Sequence, residues 1–384
     1  MRKISFLSFI LLAVVIISGC SSGKKLLQRG DYYHATMAAV NRLRSKPNHK
    51  KSQQVLLRAY PMAKENSIRI IQNALSSNMP DKYSIAVNEY TALNNMAESI
   101  FRSPKALELI PNPQQFHTEL NHALNLAAEE AYELGLKQLK LNTLESAREA
   151  YFNFLRADSY VQGYRDVKDK IQESLYMATF KVVVQKPITP PKYQLSTNFF
   201  YDNLMSEITR VTRGKFIRFY TYEEAQKERL TQPDEYLVLN FEDFAVGLMR
   251  ESQSAYEVKR DSVLVGSTTI DGKKHDVYGT VKANIITYRR EVISQGVLSA
   301  QIVNAYNNRV IERRNLPGKF VWVNEWATFR GDERALDAKQ KKLTSTEPMM
   351  PPPEQDLFIE FTKPIFDQVV SFVNTYYKRY EERL

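Results

Sequence analysis

The sequence predicts an α+β protein of two parts, an N-terminal all-α array of helical repeats followed by a C-terminal α/β domain with a mainly antiparallel sheet. Between Lys24 and about Tyr176, glycine is scarce and apolar residues recur three and four positions apart, which indicates amphipathic helices. From Thr179 onward, runs rich in β-branched and aromatic residues are typical of strands. With 384 residues, 43% of them hydrophobic and 25% charged, the chain is long enough for two globular domains.

The chain begins with the pattern of a cleavable signal peptide, over residues 1–19. Arg2 and Lys3 precede an apolar run from Ile4 to Ile17, and small residues follow it. The run is shorter than the roughly 20 apolar residues that a membrane-spanning helix requires. Two alternatives stay open, namely a secretory signal with a cysteine at the cleavage site by chance, and the apolar tip of a cytosolic protein.

The end of this segment, Ile17-Ser18-Gly19-Cys20, resembles the lipobox of bacterial lipoproteins. The resemblance implies that the thiol of Cys20 is lipidated and that the mature chain starts there. Several acyl chains on one residue hold a protein on a membrane almost permanently. Ser21 stands where an aspartate is associated with retention in the inner membrane, so we expect an outer-membrane lipoprotein that faces the periplasm.

Charge and cysteine content narrow the possible partners. The formal net charge is +10, and it falls to +8 when Arg2 and Lys3 leave with the signal peptide. Outside the cytoplasm, a basic surface suits anionic lipid, wall polymer or acidic protein, and we expect no nucleic-acid partner. Cys20 is the only cysteine, so the chain forms no intramolecular disulfide.

The helical part, residues 20–177, contains degenerate repeats. The run Gly30 to Ala35, followed by Pro47, resembles the second helix of a tetratricopeptide repeat, and a second copy runs from Asp81 to Ala86. A third copy has Gly135 in its first helix and Ala147 in its second. The resemblance implies stacked helix pairs with a concave groove for peptides or protein segments. The alternative is a helical spacer that holds the second domain away from the membrane.

The groove hypothesis makes Tyr32 and Tyr83 candidate partner-binding residues, because each lies at the start of a repeat-like helix. We expect envelope proteins to be the partners.

The α/β domain is predicted over residues 178–345, beginning with a strand at 179–185. We then expect a helix over 199–211, strands at 216–220, 236–241, 277–294, 297–313 and 320–323, and a helix that opens at 331 with Asp332 as its cap. Gln295-Gly296 and Asn307-Asn308 are the predicted turns. Residues 346–384 are predicted as a Pro-rich linker and a C-terminal helix from about Glu354 to Glu382.

This order of elements, and the hairpin from Ala300 to Ile311, resemble the α/β domains of the curli-secretion lipoproteins and of the penicillin-binding-protein activator lipoproteins. The resemblance covers about half of the chain, and no catalytic or binding motif accompanies it. It implies an accessory role in a secretion, outer-membrane assembly or cell-wall machine.

Patterns for metal or catalytic chemistry are missing from the sequence. His117 and His122 are five residues apart, and this spacing does not place both on one face of a helix as a zinc site of the helical type requires. There is no nucleophile elbow, phosphate loop or calcium loop. We therefore expect a protein without metal, cofactor or enzymatic activity, and the alternative is a hydrolase whose catalytic residues are scattered.

In the second domain the candidate partner-binding residues are Arg289 with Arg290, and Trp322 with Trp326. The arginines suit an anionic polymer or an acidic partner, and the indole rings suit a carbohydrate or a peptide. Solvated strand edges explain the arginines equally well, and core packing explains the rings. The function that we expect is a scaffold for protein interactions, and peptidoglycan or glycan binding is the rival.

Overall fold

The computed structural model describes residues 23–212, 214–271 and 273–381, in two compact units that meet between Ala178 and Thr179. Cys20 and the predicted signal peptide lie outside the described residues. Helices come first and a five-stranded mixed sheet with covering helices follows, which confirms the predicted fold class. No helix among the described residues is long and apolar enough to cross a bilayer.

The first unit consists of helices joined by short connections. They are α1 Lys24–Gln28, α2 Tyr32–Ser45, α3 Lys50–Ser76, α4 Lys82–Phe101, α5 Pro104–Leu109, α6 His117–Leu139, α7 Leu144–Tyr160 and α8 Val167–Ala178.

Small residues allow these helices to pack closely. The alanines that the repeat resemblance singled out, Ala35, Ala86 and Ala147, are at most 1% exposed. Gly135 of α6 lies against the ring of Phe154 in α7, so that a Cβ on this glycine would be 2.6 Å from a ring carbon. The repeat-like positions therefore lie at helix contacts, and their membership in the tetratricopeptide family stays a prediction.

The second unit is built on one sheet. Its elements are β1 Phe180–Gln185, α9 Gln194–Val211, β2 Ile217–Tyr220, α10 Tyr222–Lys227, β3 Glu235–Ile270, β4 Lys273–Asn304, β5 Val310–Gly331, α11 Ala338–Thr344 and α12 Glu354–Glu381. The strand order is β2-β1-β3-β4-β5, with β1 parallel to both neighbours and β3, β4 and β5 antiparallel.

The C-terminal helix α12 is part of the core of the second unit and not a separate segment. Phe358, Phe361 and Ile365 are fully buried, and they belong to the same apolar cluster as the strands and α9. Near the other end of the helix, the hydroxyls of Tyr376 and Tyr377 donate to the buried carboxylate of Glu235, at 3.0 and 2.8 Å. The helix α12, which the sequence set apart from the α/β domain, thus supplies one layer of that domain.

The predicted turn at Gln295-Gly296 is wrong. β4 continues through it, and Gly296 pairs with Gly318 of β5. A Cβ on Gly318 would collide with the carbonyl oxygen of Phe361 and with Ile365, and one on Gly296 would collide with Phe244. The glycines therefore mark the place where α12 presses on the sheet. The predicted turn at Asn307-Asn308 is confirmed, since it joins β4 to β5.

The helix predicted to open at residue 331 is also different. Asp332 accepts a hydrogen bond from the amide of Arg334, but the turn that it caps is a 3-10 turn, Glu333–Ala335. Leu336 is extended (ψ 140°) and 1% exposed, so its burial ends the turn. α11 starts afterwards with Asp337 as its cap.

Most of the hairpin between β3 and β4 was missed by the sequence prediction, which ended one strand at 241 and began the next at 277. β3 has 36 residues and β4 has 32. Beyond the end of β5 the two strands continue alone, over residues 259–270 and 273–282, which we call the ribbon. Apart from buried Val281 and the partly buried Val263 and Gly279, the described residues of its strands are exposed, so they lack the alternating pattern of a half-buried strand.

Candidate functional site

An open cavity of about 550 Å³ lies between the sheet and α11, and we call it the polar cleft. Ser252, Ser254 and Tyr256 of β3 line it, together with residues of the neighbouring strands. Those residues are Thr287 and Arg289 of β4 and Glu325 of β5. Asp337, Lys339 and Gln340 form the wall on the side of α11.

The strand register determines which side chains reach the polar cleft. Arg289 is opposite Ser252 on one side and Glu325 on the other. Directly opposite residues of an antiparallel pair share a face, so these three side chains meet. A small apolar cluster that includes Ile285, Ala327 and Leu336 continues the same face and holds the chain that leads into α11.

Charges of both signs line the polar cleft. The guanidinium of Arg289 donates from Nε to Glu291 (2.8 Å) and from Nη1 to Glu325 (2.6 Å). These two carboxylates raise the pKa of Arg289 above its usual value. With Lys339 and Asp337 on the opposite wall, cations and anions nearly balance. Together with the nearby hydroxyls, this favours a neutral, hydroxyl-rich or zwitterionic ligand over a polyanion.

The opposite face of the same strands carries an aromatic stack. The rings of Tyr288 and Trp326 lie 5.3 Å apart and are nearly parallel, at 8°. The guanidinium of Arg290 is 5.3 Å from the ring of Trp326 and is paired with Glu251. Trp322 projects from this face as well and is half-buried.

Arg290 also fixes the chain that connects α11 to α12, residues 345–353, which we call the strap. Its Nη1 donates to the carbonyl oxygen of Met349 (2.8 Å), and the amide of Met349 donates to Oδ1 of Asn324 (2.9 Å). Arg290 therefore has a structural role, in which it ties the strap to β4 and β5.

The candidate residues from the sequence thus divide into separate sets. Arg289 and Arg290 are consecutive on a strand, project from opposite faces and are each paired with carboxylates, so they do not form one basic patch. Only Arg289 belongs to the polar cleft. Tyr32 and Tyr83 lie in the first unit, half-buried against its helical core, and the amine of Lys82 lies 5.1 Å from the ring of Tyr83.

Sequence reasoning did not find the serines of β3 or Tyr256, because residues 242–276 gave no strand signal. It also missed a polar cluster near Tyr83, where Arg156 is ion-paired with Asp81 and the hydroxyls of Ser84 and Tyr160 are 2.7 Å apart. Burial and then the charge of Asp81 raise the pKa of Glu130 in this cluster.

No group of three or more histidine, cysteine or acidic side chains that could hold a metal ion occurs within residues 23–212, 214–271 and 273–381.

Comparisons with known proteins identify no family for this chain. No family model matches the chain, and no curated protein matches it. Among solved structures, it is similar to a homologue of the neuraminyllactose-binding hemagglutinin from Helicobacter pylori. That match has 12% identity and a TM-score of 0.26, and covers 54% of this chain and 92% of the other. A likeness this low carries no argument about function.

Proposed function

We propose that the protein is a non-enzymatic lipoprotein of the bacterial cell envelope, anchored by lipid on Cys20 and facing the periplasm from the outer membrane. In this proposal it is a scaffold, or an accessory subunit of a secretion, outer-membrane assembly or cell-wall machine. The observation that carries the proposal is the segment Ile17-Ser18-Gly19-Cys20 after a short apolar run. The lipid confines the protein to a surface, where an adaptor for other envelope proteins is useful.

The helical unit supports the scaffold role by its construction. Its helices pack pairwise through small residues, and half-buried tyrosines stand at the starts of α2 and α4. Such tyrosines are frequent in protein interfaces. We propose that Tyr32 and Tyr83 contribute to binding an envelope protein.

An affinity pull-down tests the scaffold. The lipidated protein is used as bait in detergent-solubilised membranes, and a Cys20→Ala protein shows which partners depend on the anchor. We expect one stoichiometric set of envelope proteins with the lipidated bait. Tyr32→Ala and Tyr83→Ala should weaken its recovery, whereas Tyr278→Ala, which removes a 62% exposed ring from the ribbon, should not. Recovery of lipid or wall polymer without any protein would contradict the scaffold.

Glycan binding is the second candidate, and the polar cleft is the observation that favours it. Serine and tyrosine hydroxyls beside a balanced set of charges suit the hydroxyl and amide groups of a wall glycan. Co-sedimentation with purified peptidoglycan measures this directly. We expect Tyr256→Ala and Arg289→Gln to reduce the bound fraction, with Tyr278→Ala again as the control. Equal sedimentation of all four proteins would remove the polar cleft as the binding site.

A further inference from the structure

One edge of the sheet is open over a long distance. On one side, β3 pairs with β4 along its whole length, but on the other side β1 pairs only with Glu235–Val238. In the part of the chain that the structure describes, no strand pairs with this side of β3 beyond Val238. Between the register shifts at 245/248 and 260/263, the edge from Leu248 to Arg260 is regular.

This edge is also exposed to solvent. All its residues are exposed except Val258, which is partly buried, and Leu248, Met249 and Tyr256 are 51%, 58% and 43% exposed. Strand edges present unpaired amides and carbonyls, and proteins often block them with proline, bulges, charged side chains or covering segments. The outer edge of β5 contains one such blocking residue, Pro317. The edge of β3 has no proline.

We propose that two copies of the chain associate through this edge, with β3 antiparallel to β3 around a two-fold axis at Gln253. A two-fold axis perpendicular to the sheet keeps each face on its own side, so residues that meet must lie on the same face. An axis at Gln253 then brings together Leu248 with Val258, and Arg250 with Tyr256. Each of these pairs occurs twice, and the strands pair from Leu248 to Val258.

The charges along the edge favour an axis at Gln253 over an axis one or two residues further along β3, in the direction of the ribbon. An axis at Ser254 would place Glu251 opposite Glu257. An axis at Ala255 would place Arg250 opposite Arg260. Like charges directly opposite each other destabilise a strand pair. With the axis at Gln253, every charged residue between Leu248 and Val258 meets an uncharged one, and the guanidinium of Arg250 lies beside the ring of Tyr256.

The association has a consequence for the polar cleft. Ser252 and Ser254 are opposite each other across the axis, and Tyr256 is near it, so the clefts of the two copies adjoin. The dimer would therefore present one long groove with the two polar clefts side by side, which suits an extended, repeating ligand better than a single cleft does.

Sedimentation velocity of the full-length chain with Cys20→Ser, in a mild detergent and over a concentration series, tests the association. We expect a monomer–dimer equilibrium. Gln253→Lys places two lysines at the axis and should weaken the dimer by up to about fivefold. Val321→Lys, at an exposed position on β5, is the matched control and should leave the equilibrium unchanged. An unaltered melting temperature shows that each variant is folded.

Disulfide trapping tests the register. With Cys20→Ser in the background, Gln253→Cys supplies the only thiol of the chain, and residues opposite each other in antiparallel strands have Cα atoms about 4.5–5.5 Å apart, within the span of a disulfide. We expect Gln253→Cys to form a covalent dimer on mild oxidation, and Ala255→Cys and Val321→Cys to stay monomeric. A monomer at every concentration, a dimer unaffected by Gln253→Lys, or trapping through Ala255→Cys in preference to Gln253→Cys would overturn the proposal.

Discussion

At the scale of single residues, the most consequential positions of the second unit are the two paired glycines under α12. Gly296 and Gly318 have no side chains of their own, yet the close approach of Phe361 and Ile365 depends on them. A glycine that is required because it has no side chain gives little signal in a sequence. In the sequence such a glycine resembles a turn residue.

Replacement of Gly318 by alanine should destabilise the protein. The new Cβ meets a backbone carbonyl of α12, which cannot move without displacing the helix, and overpacking of this kind costs about 1–3 kcal/mol of the free energy of unfolding. Urea denaturation measures it. Gly266→Ala is the matched control, because a Cβ there meets nothing within 4 Å, and its change should stay within about 0.5 kcal/mol. Equal effects of the two variants would show that α12 does not press on the sheet.

Glu130 should make the stability of the first unit depend on pH. Burial and the neighbouring Asp81 raise its pKa, so its charged form is disfavoured in the folded protein. A raised carboxyl pKa means that stability is lost as pH rises through the folded value. Glu130→Gln should therefore raise the melting temperature at pH 7, and the difference should vanish below the ordinary glutamate pKa. Glu133→Gln, an exposed neighbour on α6 paired with Arg165, should not stabilise the protein at pH 7.

At the scale of elements, the sheet of the second unit depends on a helix that comes last in the chain. α9 and α12 cover the apolar face of the strands, and the buried aromatic residues of α12 fill the space between them. The helix is amphipathic in sequence, but only its partners show that it belongs to the core.

Truncation of α12 side chains tests this dependence. Phe361→Ala removes a fully buried ring and should lower the free energy of unfolding by about 3–5 kcal/mol. Phe199→Ala removes a ring of α9 that is 57% exposed, so its cost should be far smaller. Chemical denaturation, monitored through a spectroscopic signal of the sheet, measures the cost of each of the two variants. A cost below about 1 kcal/mol for Phe361→Ala would mean that α12 is only loosely attached.

The long β3–β4 hairpin has two parts with different surroundings. Its inner part forms the floor of the polar cleft, and its outer part is a two-stranded ribbon of roughly 35 Å per strand. Two strands by themselves are marginally stable in water. Cross-strand contacts within the ribbon, such as the hydrogen bond from Thr280 to Asp261 at 2.6 Å, support it, and the 3-10 turn after β5 adds contacts through Arg334.

At the scale of the whole molecule, the two units differ in construction and in the work that we propose for them. The helical unit is proposed to bind a protein, and the sheet unit offers the polar cleft and the open edge of β3. Both proposals place the molecule on a membrane surface, and that location depends on the proposed lipidation of Cys20.

Loss of Cys20 should release the protein from the membrane. Cys20→Ala removes the only thiol, so no acyl chain can be attached and fatty-acid labelling should disappear. If the signal is still cleaved, the chain should move to the soluble periplasmic fraction. Fractionation with labelled palmitate measures both changes. Ser21→Ala, which keeps the cysteine, should label and fractionate as the unaltered chain does. Labelling of Cys20→Ala would contradict the lipoprotein assignment.

The fold class and most elements with a regular period could be predicted from the amino-acid sequence. Helical spacing predicted the last helix from Glu354, and β-rich runs predicted strands at 216–220 and 236–241, because burial of one face imposes a pattern on neighbouring residues. The expectation of a lipid anchor also came from the sequence. A signal peptide is recognised as an unfolded segment, so its residue pattern is sufficient to predict it.

The tertiary structure was needed for every feature that depends on residues far apart in the chain. It showed that β4 passes through Gly296, that Arg289 and Arg290 belong to opposite faces, and that residues 242–270 and 273–276 form strands. The physical reason is that a glycine's role, a side chain's face and an exposed strand's pairing are fixed by partners across the sheet. Those partners leave no periodic trace in the local sequence.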